Sequence, residues 1–437
     1  MKKGGSQSGA NRPAKTAKKP IDPKKRLRRR VIFSALGAVI VGAAIGTGVW
    51  AFKGHTLLQG IARIVGAHDL TQPENILLIG NNARNPSNPL DIGTKGGGQA
   101  DIMMVAHIDP KKHQVVLISI PRDALFAMPM YNNPIPKLKT LFFIGAQMQP
   151  NQAAQLTVQA VEKFTGMHID HWIVTDFQGF SDAINAVGGV RMDIPGRIYD
   201  PAHSGANLYP GWQTLNGAQA LAYIRVRQNT ASSYEINDLE RDNAQAQLLL
   251  ALKAKLLNSS NDISHLPGLI STWMKDVVTD MTPGDLLEVA SVLHGSGSTM
   301  KHINLFNIGD SMQVASAPAP GLNQENYLTG AYYDIIDSTQ VSKILKPYGS
   351  VGSDTGVPLP SPSTVPVDVY GSQAVVTQLQ NAGFHVTWEG NGGTYPDQIM
   401  YPAGDMAWGL QVGRALATGN SLVEQGTNSS AVVVYAP

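Results

Sequence analysis

The segment Gln114 to Asp123 reads QVVLISIPRD and follows another apolar segment, Asp101 to Asp109 (DIMMVAHID), across a Pro-Lys-Lys turn. Continuous apolar runs of this length between turn residues predict two neighbouring buried strands. The second strand ends in a proline and a charged pair, Arg122 and Asp123. Strand ends are where open α/β sheets present side chains to ligands. This stretch therefore predicts both a sheet core and a site at the edge of the sheet.

The surrounding sequence alternates between strand and helix patterns, which is typical of α/β layering. We therefore predict an α/β fold in which a central sheet lies between two layers of helices. Further strands are expected at Asn75 to Gly80, His171 to Asp176 and His302 to Ile308, and helices at Gln152 to Phe164, Phe177 to Val187, Leu215 to Tyr223, Asp238 to Leu257, His265 to Val277 and Pro283 to Leu293.

The N-terminus carries most of the positive charge of the chain. Residues 1–30 contain 12 Lys or Arg and one acid, Asp22, so the remainder has 22 basic and 31 acidic residues, a net charge of −9. Val31 to Phe52 has no charged residue and is long enough to cross a bilayer as a helix. The positive-inside rule predicts a cytoplasmic N-terminus and extracytoplasmic main domains in a single-pass protein of the cell membrane. A cleaved signal peptide is the alternative, although its apolar region is usually shorter.

The 437-residue chain is long enough for several parts with cores of their own, and it contains no cysteine. Disulfides, thiol catalysis and cysteine-based zinc sites are therefore excluded. A segment rich in Gly, Ser, Pro and Thr at 349–366 is typical of a linker, and a small α/β domain is expected after it. The predicted division is a cytoplasmic basic tail (1–30), a transmembrane helix (31–52), a stalk (53–70), a main domain (71–348), a linker (349–366) and a C-terminal domain (367–437).

Five arginines stand out as candidate ligands for an anion. Each also has a simpler interpretation, as a strand-end ion pair, a solvated basic edge or an ion pair within a helix. If they converge, they form a cationic pocket in a part of the chain that is otherwise acidic. One guanidinium group can bind two phosphate oxygens at once. Such a pocket suits pyrophosphate. The arginines are Arg84, Arg122, Arg225, Arg227 and Arg241, and Gln245 shares a helix face with Arg241.

These segments together resemble the motifs of the LytR-CpsA-Psr family. The resemblance covers about residues 70–310, and residues 366–437 are similar to the LytR C-terminal domain that often follows. The matching segments are Asn75 to Arg84, Ala100 to Met104, Ser119 to Asp123 (SIPRD), Thr165 to Val190, Leu215 to Arg227 and Asp238 to Gln245.

The resemblance implies a cell-wall glycopolymer ligase. In that family a peptidoglycan hydroxyl attacks the sugar-linked phosphate of a polyprenyl-pyrophosphate glycopolymer, a phosphodiester forms, and polyprenyl phosphate leaves. It implies that the arginines and Gln245 hold the pyrophosphate, that Asp101 helps to bind Mg²⁺, and that an apolar tunnel holds the lipid. Arg122 and Asp123 are assigned to catalysis, with Asp123 a candidate base from its position alone.

Three positions depart from the family pattern. Asn82 stands where the family usually has a metal-binding Asp, and Gln99 and Ala244 stand where it usually has Arg. A paralogue with weakened catalysis, which binds polyprenyl-phosphate lipids or organises wall assembly, is therefore an alternative. A membrane-bound transcription regulator is a third possibility. We expect no nucleic-acid partner, because membrane anchoring accounts for the basic tail, which contains no DNA-reading module.

Overall fold

The computed structural model describes residues 70–82, 98–126, 137–148, 152–231, 236, 238–257, 266–295, 300–314, 331–354, 359–390, 398–402, 405–416, 422–425 and 430–436. The predicted basic tail, the predicted transmembrane helix and all but the last residue of the predicted stalk lie outside these ranges. None of the helices within these ranges has both the length and the apolar character needed to cross a bilayer.

The strands are β1 (Glu74–Asn81), β2 (Ala100–Asp109), β3 (Gln114–Ser119), β4 (His171–Thr175), β5 (Val190–Ile194), β6 (Ile198–Asp200), β7 (Ala206–Leu208), β8 (Gly211–Leu215), β9 (Val277–Thr279), β10 (Lys301–Asn304), β11 (Gly309–Val314), β12 (Ala331–Ile336), β13 (Pro366–Gly371), β14 (His385–Trp388), β15 (Gln398–Tyr401), β16 (Leu422–Gln425) and β17 (Val432–Ala436). The α-helices are α1 (Thr140–Met148), α2 (Gln152–Thr165), α3 (Phe177–Ala186), α4 (Gly217–Ile224), α5 (Asp238–Leu257), α6 (Leu266–Trp273), α7 (Pro283–Gly295), α8 (Ser338–Leu345), α9 (Gln373–Asn381) and α10 (Met406–Leu416).

Six strands form the central sheet in the order β10-β3-β2-β1-β4-β9. Successive side chains of a strand point to opposite faces. Leu77 and Ile79 of β1 accordingly pack in one core with residues of α1, α2 and α8, while Ile76 and Leu78 pack on the other side against residues of α6 and α7. The predicted α/β fold with helices on both faces of the sheet is thus confirmed.

The two apolar runs that precede Arg122 are adjacent antiparallel strands, β2 and β3, as predicted. The long helix α5 has the predicted bounds, Asp238–Leu257. The strand predicted at His302 to Ile308 is wrong in its second half, because Leu305–Ile308 forms a 3-10 helix. The side chain of Asn304 accepts a hydrogen bond from the amide of Phe306 (2.9 Å), which turns the chain out of the sheet.

The helix predicted from Leu215 instead begins at Gly217. Leu215 ends strand β8, and Asn216 caps the helix through a reciprocal pair of hydrogen bonds with Gln219. Such a capping box satisfies backbone amides at the first turn and so defines where the helix starts. The sequence interpretation also missed the hairpin strands β5 to β8, of which β5 pairs with β8 and β6 with β7.

A second sheet has the order β12-β11-β16-β15-β17-β13-β14. Strands β11 and β12 precede residue 348, where the main domain was predicted to end, yet they belong to the same sheet as the C-terminal strands. The sheets are therefore not divided at the predicted boundary. The described part of the predicted linker is also held in place, since Val351 donates from its amide to the carbonyl of Gly166 (2.8 Å) and Ser350 from its hydroxyl to that of Thr165 (2.7 Å).

Candidate active site

Asp101, Arg122 and Asp123 meet where β2 begins and β3 ends, at one end of these central strands. Arg122 follows β3 and points its guanidinium group at two carboxylates, with Nη1 3.2 Å from Oδ1 of Asp101 and Nε 3.1 Å from Oδ2 of Asp123. Its side chain is only 8% exposed. Charge-assisted hydrogen bonds to two carboxylates fix the orientation of a planar guanidinium group. Arg122 is therefore preorganised at the strand end, as the sequence suggested.

Two lysines that the sequence interpretation missed complete this cluster. The Nζ atoms of Lys137 and Lys139 each lie 2.9 Å from Oδ1 of Asp123. Burial alone raises the pKa of the Asp123 carboxyl, but the charges of Lys139, Arg122 and Lys137 outweigh it and hold this pKa well below its usual range. A general base works best with a pKa near the operating pH. The surroundings of Asp123 thus suit positioning of Arg122 better than the predicted role as a base.

This depressed pKa should be visible in the acid stability of the protein. A carboxyl whose pKa is lower in the folded than in the unfolded state stabilises the fold above the unfolded value, about 3.9, and loses this contribution as the pH falls toward the folded value. As the pH is lowered, the free energy of unfolding should decrease less steeply in Asp123→Asn than in the unchanged protein. The two slopes should differ by up to about 1.4 kcal/mol per pH unit. Urea unfolding of both proteins from about pH 5 to about pH 3 measures the two slopes. Equal slopes would show that Asp123 is not held charged by its neighbours.

A strand of the second sheet supports the loop that carries Asp123. The amide of Asp334 in β12 donates to the carbonyl of Asp123 (3.0 Å), and the amide of Leu125 donates to the carbonyl of Asp334 (3.0 Å). The ammonium of Lys137 lies 5.3 Å from the ring centre of Tyr333. Burial, with a smaller contribution from the Asp123 carboxylate, raises the pKa of Tyr333 to about 12. The second sheet thus helps to position the cluster around Arg122.

Asn82 is a structural part of the same site. Its side-chain amide donates to Oδ2 of Asp101 (3.0 Å), and its side-chain oxygen accepts from the amides of Gly98 (2.8 Å) and Gln99 (3.0 Å). Both carboxylate oxygens of Asp101 therefore contact protein donors, one from Arg122 and one from Asn82. Asn82 thus places a neutral amide, and not a second carboxylate, beside Asp101.

No group of three or more His, Cys, Asp or Glu side chains in the described part of the chain is arranged to hold a metal ion. A Mg²⁺ ion is commonly bound by one or two carboxylates together with substrate phosphates. Asp101 fits that lesser requirement, because its side chain is 21% exposed and its neighbour Arg122 also suits a phosphate. The donor set thus fits a Mg²⁺ ion that binds together with phosphates, but not one held by protein ligands alone.

The segment that carries Arg225 and Arg227 is not extended at its first residue, as their spacing suggested it would be. Arg225 is the C-cap residue of α4, with helical backbone angles, and its guanidinium carbon lies 4.2 Å from the ring centre of Phe177. Arg227 is exposed, while Val226 between them is buried. The cation–π contact holds Arg225 over the first residue of α3. Phe177 is a third residue, after Lys137 and Lys139, that the sequence interpretation missed.

Arg241 and Gln245 lie one turn apart on α5 and are 5% and 6% exposed. The side-chain amide of Gln245 donates to the carbonyl of Ile224, the residue before Arg225 (3.4 Å). This contact brings Gln245 to the end of α4, as the prediction of a shared site requires. Arg84 lies outside the described residues.

A cavity of about 340 Å³ lies between the central sheet and helices α3, α5, α6 and α7. Its walls are almost entirely aliphatic and aromatic, with Thr175, Gln245 and Lys253 as the polar side chains. Burial lowers the pKa of Lys253. At one end the walls include Ile102, Gly80 and Thr175, which form a row across β2, β1 and β4.

The walls of the cavity include sequence neighbours of both groups of predicted residues. Ile102 in its wall directly follows Asp101, and Gln245 in its wall contacts the end of α4 beside Arg225. An apolar chamber of this size with a few polar side chains in its walls is typical of a ligand site. The apolar walls would hold a hydrocarbon chain, and the polar side chains would hold a head group.

The sequence of the chain matches the model of the LytR_cpsA_psr family over residues 58–347. It is 28% identical over 264 residues to the polyisoprenyl-teichoic acid–peptidoglycan teichoic acid transferase TagV of Bacillus subtilis, a match that covers 59% of this chain and 61% of that relative. It is 32% identical over 188 residues to the probable cell wall biosynthesis protein LcpB of Corynebacterium glutamicum, with 42% of each chain covered. The matches thus span less than two thirds of the length of either relative.

The fold is also similar to that of a solved relative. The crystal structure of B. subtilis TagV superposes with a TM-score of 0.50 and 26% sequence identity, covering 64% of this chain and 96% of that one. The comparable region therefore extends over nearly the whole of the solved structure, while about a third of the present chain lies beyond it.

Proposed function

This chain belongs to the LytR_cpsA_psr family, and we propose that it transfers a polyprenyl-pyrophosphate-linked glycopolymer to peptidoglycan through a phosphodiester bond. The observation that carries the proposal is the apolar cavity whose walls include Ile102, next to Asp101, and Gln245, next to the end of α4. TagV, which is similar in sequence and in fold, is named as a transferase of polyisoprenyl-linked teichoic acid to peptidoglycan.

In the proposed reaction, a peptidoglycan hydroxyl oxygen attacks the phosphorus atom that carries the sugar. A new phosphorus–oxygen bond forms, and the bond to the bridging oxygen of the pyrophosphate breaks. Polyprenyl phosphate leaves with that electron pair, and the hydroxyl proton passes to a base outside the assigned residues. Negative charge grows on the leaving phosphate, and fixed cationic donors at that position lower the barrier.

The proposed roles of the individual side chains follow from their surroundings. Arg122, buried and oriented by two carboxylates, binds the phosphates, while Asp123 positions it. Arg225 at the end of α4 and the buried Arg241 of α5 are further cationic ligands, with Gln245 as a neutral donor. We retain Arg84 and Arg227 as candidate ligands for the pyrophosphate. When bound, a Mg²⁺ ion at Asp101 would neutralise part of the phosphate charge.

A transfer assay tests this function directly. Purified full-length protein is mixed with a radiolabelled lipid-linked glycopolymer and peptidoglycan sacculi, and the label that stays on washed sacculi is measured. Label that only acid or phosphodiesterase releases supports the proposal. Tight binding of the lipid without such transfer would instead support the alternative of a lipid-binding paralogue, which Asn82 beside Asp101 motivates.

Replacing Asn82 with aspartate should strengthen the response of the protein to Mg²⁺. One carboxylate oxygen would still accept from the amides of Gly98 and Gln99, but the other would face the Asp101 carboxylate in place of the present amide donor. We expect the metal-free variant to lose roughly 1–2 kcal/mol of stability, and Mg²⁺ to stabilise it more than the unchanged protein because two carboxylates then face the ion.

Thermal unfolding of the full-length protein with Mg²⁺ and with a chelator measures this response. Asn381→Asp is the matched control, because Asn381 is an exposed amide at the end of α9. An identical Mg²⁺ response in Asn82→Asp and in the unchanged protein would contradict a metal site at Asp101.

We also infer that the protein is anchored in the cell membrane by residues 31–52, with its main domains outside. The apolar run and the preceding basic residues support this orientation. Residues 367–437 are proposed to be a LytR C-terminal-like domain. The parallel pairing of β13 with β14 and with β17, with helix α9 between β13 and β14 in the chain, is consistent with the small α/β domain that the sequence indicates.

A further inference from the structure

Two β-hairpin ribbons between α3 and α4 carry an exposed aromatic surface. The first pairs β5 with β8, and the second pairs β6 with β7. Trp212 and Tyr209 are each 64% exposed, and Tyr199 is 41% exposed. Large exposed aromatic side chains that lie close together on a folded protein often mark an interaction site. These three side chains, with Arg191 and Arg197, are called the hairpin surface.

Arginines hold the rings of the hairpin surface in place. The guanidinium carbon of Arg197 lies 4.2 Å from the ring centre of Tyr209 and 5.3 Å from that of Tyr199, and that of Arg191 lies 5.2 Å from the ring centre of Trp212. Cation–π contacts of this length restrict the rings. Rings that are ordered before a ligand arrives lose less entropy on binding.

The core of the protein does not account for these exposed rings. Along β5, side chains alternate between buried and exposed, and the buried ones, Val190, Met192 and Ile194, pack with Ile184 of the cavity wall. Trp212 lies on the opposite, exposed side of the ribbon, with Asp193 as its cross-strand partner. The ribbon therefore has an inner face that completes the core and an outer face with no structural role in it.

We propose that the hairpin surface binds the glycan strand of peptidoglycan. The face of a sugar ring presents C–H groups, and the face of an aromatic ring carries the negative part of its quadrupole, so the two stack favourably. Polar side chains around the rings can bond to hydroxyl and acetamido groups, and here they include Asp193, Asn207 and Thr214. The identity of this glycan rests on the proposed function, which makes peptidoglycan the acceptor.

The hydrogen bonds that occupy Arg197 and the carboxylate of Asp193 beside Trp212 favour a neutral sugar backbone over a polyanionic glycopolymer. Arg197 already donates to the carbonyls of Ile198 (2.6 Å) and Leu208 (2.7 Å) and to the side-chain oxygen of Asn207 (2.7 Å). Its guanidinium group therefore has few donors left for a phosphate. The exposed carboxylate of Asp193, directly across from Trp212, would repel a chain of phosphates.

The same surroundings argue against a lipid bilayer as the occupant. Tryptophan and tyrosine are common at membrane interfaces, but a surface that enters a bilayer usually exposes aliphatic side chains around them. The exposed neighbours of Trp212 on its ribbon are Arg191, Asp193 and Thr214. We therefore treat membrane contact as the outcome that would contradict the proposal.

Co-sedimentation of the detergent-solubilised full-length protein with peptidoglycan sacculi stripped of other polymers tests the binding. We expect Trp212→Ala and Tyr209→Ala each to weaken binding by roughly three- to tenfold. Trp388→Ala is the matched control, since Trp388 is 48% exposed on the second sheet, and it should bind like the unchanged protein. Trp212→Phe, which keeps an aromatic face, should restore most of the binding. Equal binding by all four variants would overturn the proposal.

Two further measurements separate the alternatives. In vesicles of brominated phosphatidylglycerol, the proposed transmembrane segment brings Trp50 into contact with the quencher in every variant. The unchanged protein and Trp212→Phe should therefore lose the same absolute amount of tryptophan fluorescence, and a larger loss in the unchanged protein would place this surface in the bilayer instead. In the transfer assay, Trp212→Ala should raise KM for long glycan strands and leave lipid binding unchanged. If the unchanged protein transfers nothing but still binds sacculi through Trp212, the proposed transferase fails while the glycan surface stands.

Discussion

Replacing Arg122 with alanine is expected to lower the rate of glycopolymer transfer by about 10²- to 10³-fold, the usual cost of losing one fixed donor to developing charge. Arg122 is buried and contacts Asp101 and Asp123, so its position is set before a phosphate arrives. The loss should appear in kcat as well as in kcat/KM, because this interaction strengthens as charge develops on the leaving phosphate.

Two further variants separate chemistry from folding. Arg122→Lys keeps the charge but not the planar fork of donors, and we expect it to recover little of the activity. Lys112→Ala removes an exposed cation that is paired with Asp109, and it should leave transfer unchanged. Urea unfolding of each variant shows whether it is folded. A folded Arg122→Ala protein that transfers at the normal rate would exclude this residue from the site.

Filling the apolar cavity is expected to weaken the binding of the lipid substrate by a factor of similar size. Ala290 lines the cavity from α7, and Ala290→Trp would place a large ring in the space of about 340 Å³. If the ring excludes about four methylene groups of a polyprenyl chain, at about 0.8 kcal/mol each, lipid affinity falls by roughly 10²-fold. Binding of a radiolabelled polyprenyl pyrophosphate to the solubilised protein measures this loss.

The control for this prediction is Ala382→Trp, which adds the same ring at the exposed end of α9. A donor with a short prenyl chain provides a second comparison, because it needs less of the cavity. We expect Ala290→Trp to use the short-chain donor nearly as well as the unchanged protein does. Unchanged affinity of Ala290→Trp for the long-chain lipid would show that the chain lies elsewhere.

The second sheet is connected to the candidate site through strand β12. Asp334 is hydrogen-bonded through its backbone to Asp123 and Leu125, and Tyr333 contacts Lys137. Since β12 is also part of the sheet that contains β13 to β17, the C-terminal residues share a framework with the loop that holds Arg122. Composition suggested a boundary at residue 348 between a catalytic domain and an appended domain. The second sheet contains strands from both sides of this boundary.

The sequence by itself determined the central layers of this protein. Strands β2 and β3 and helix α5 could be predicted because apolar periodicity is a local property of the chain. The position of Arg122 and Asp123 followed from the same pattern, since a buried strand that ends in Pro and a charged pair must present that pair at the sheet edge. The departure at Asn82 was also visible from the sequence, although its hydrogen bonds to Asp101, Gly98 and Gln99 were not.

Only the tertiary structure decided which side chains meet. Lys137 and Lys139 are 14 and 16 residues from Asp123 in the sequence, and nothing in their local pattern indicates that they surround its carboxylate. The packing of Arg225 on Phe177, the cavity beside Gln245 and the membership of β11 and β12 in the second sheet likewise depend on contacts between distant segments. Such contacts are set by strand register and by the packing of whole faces, which a local pattern of residues does not encode.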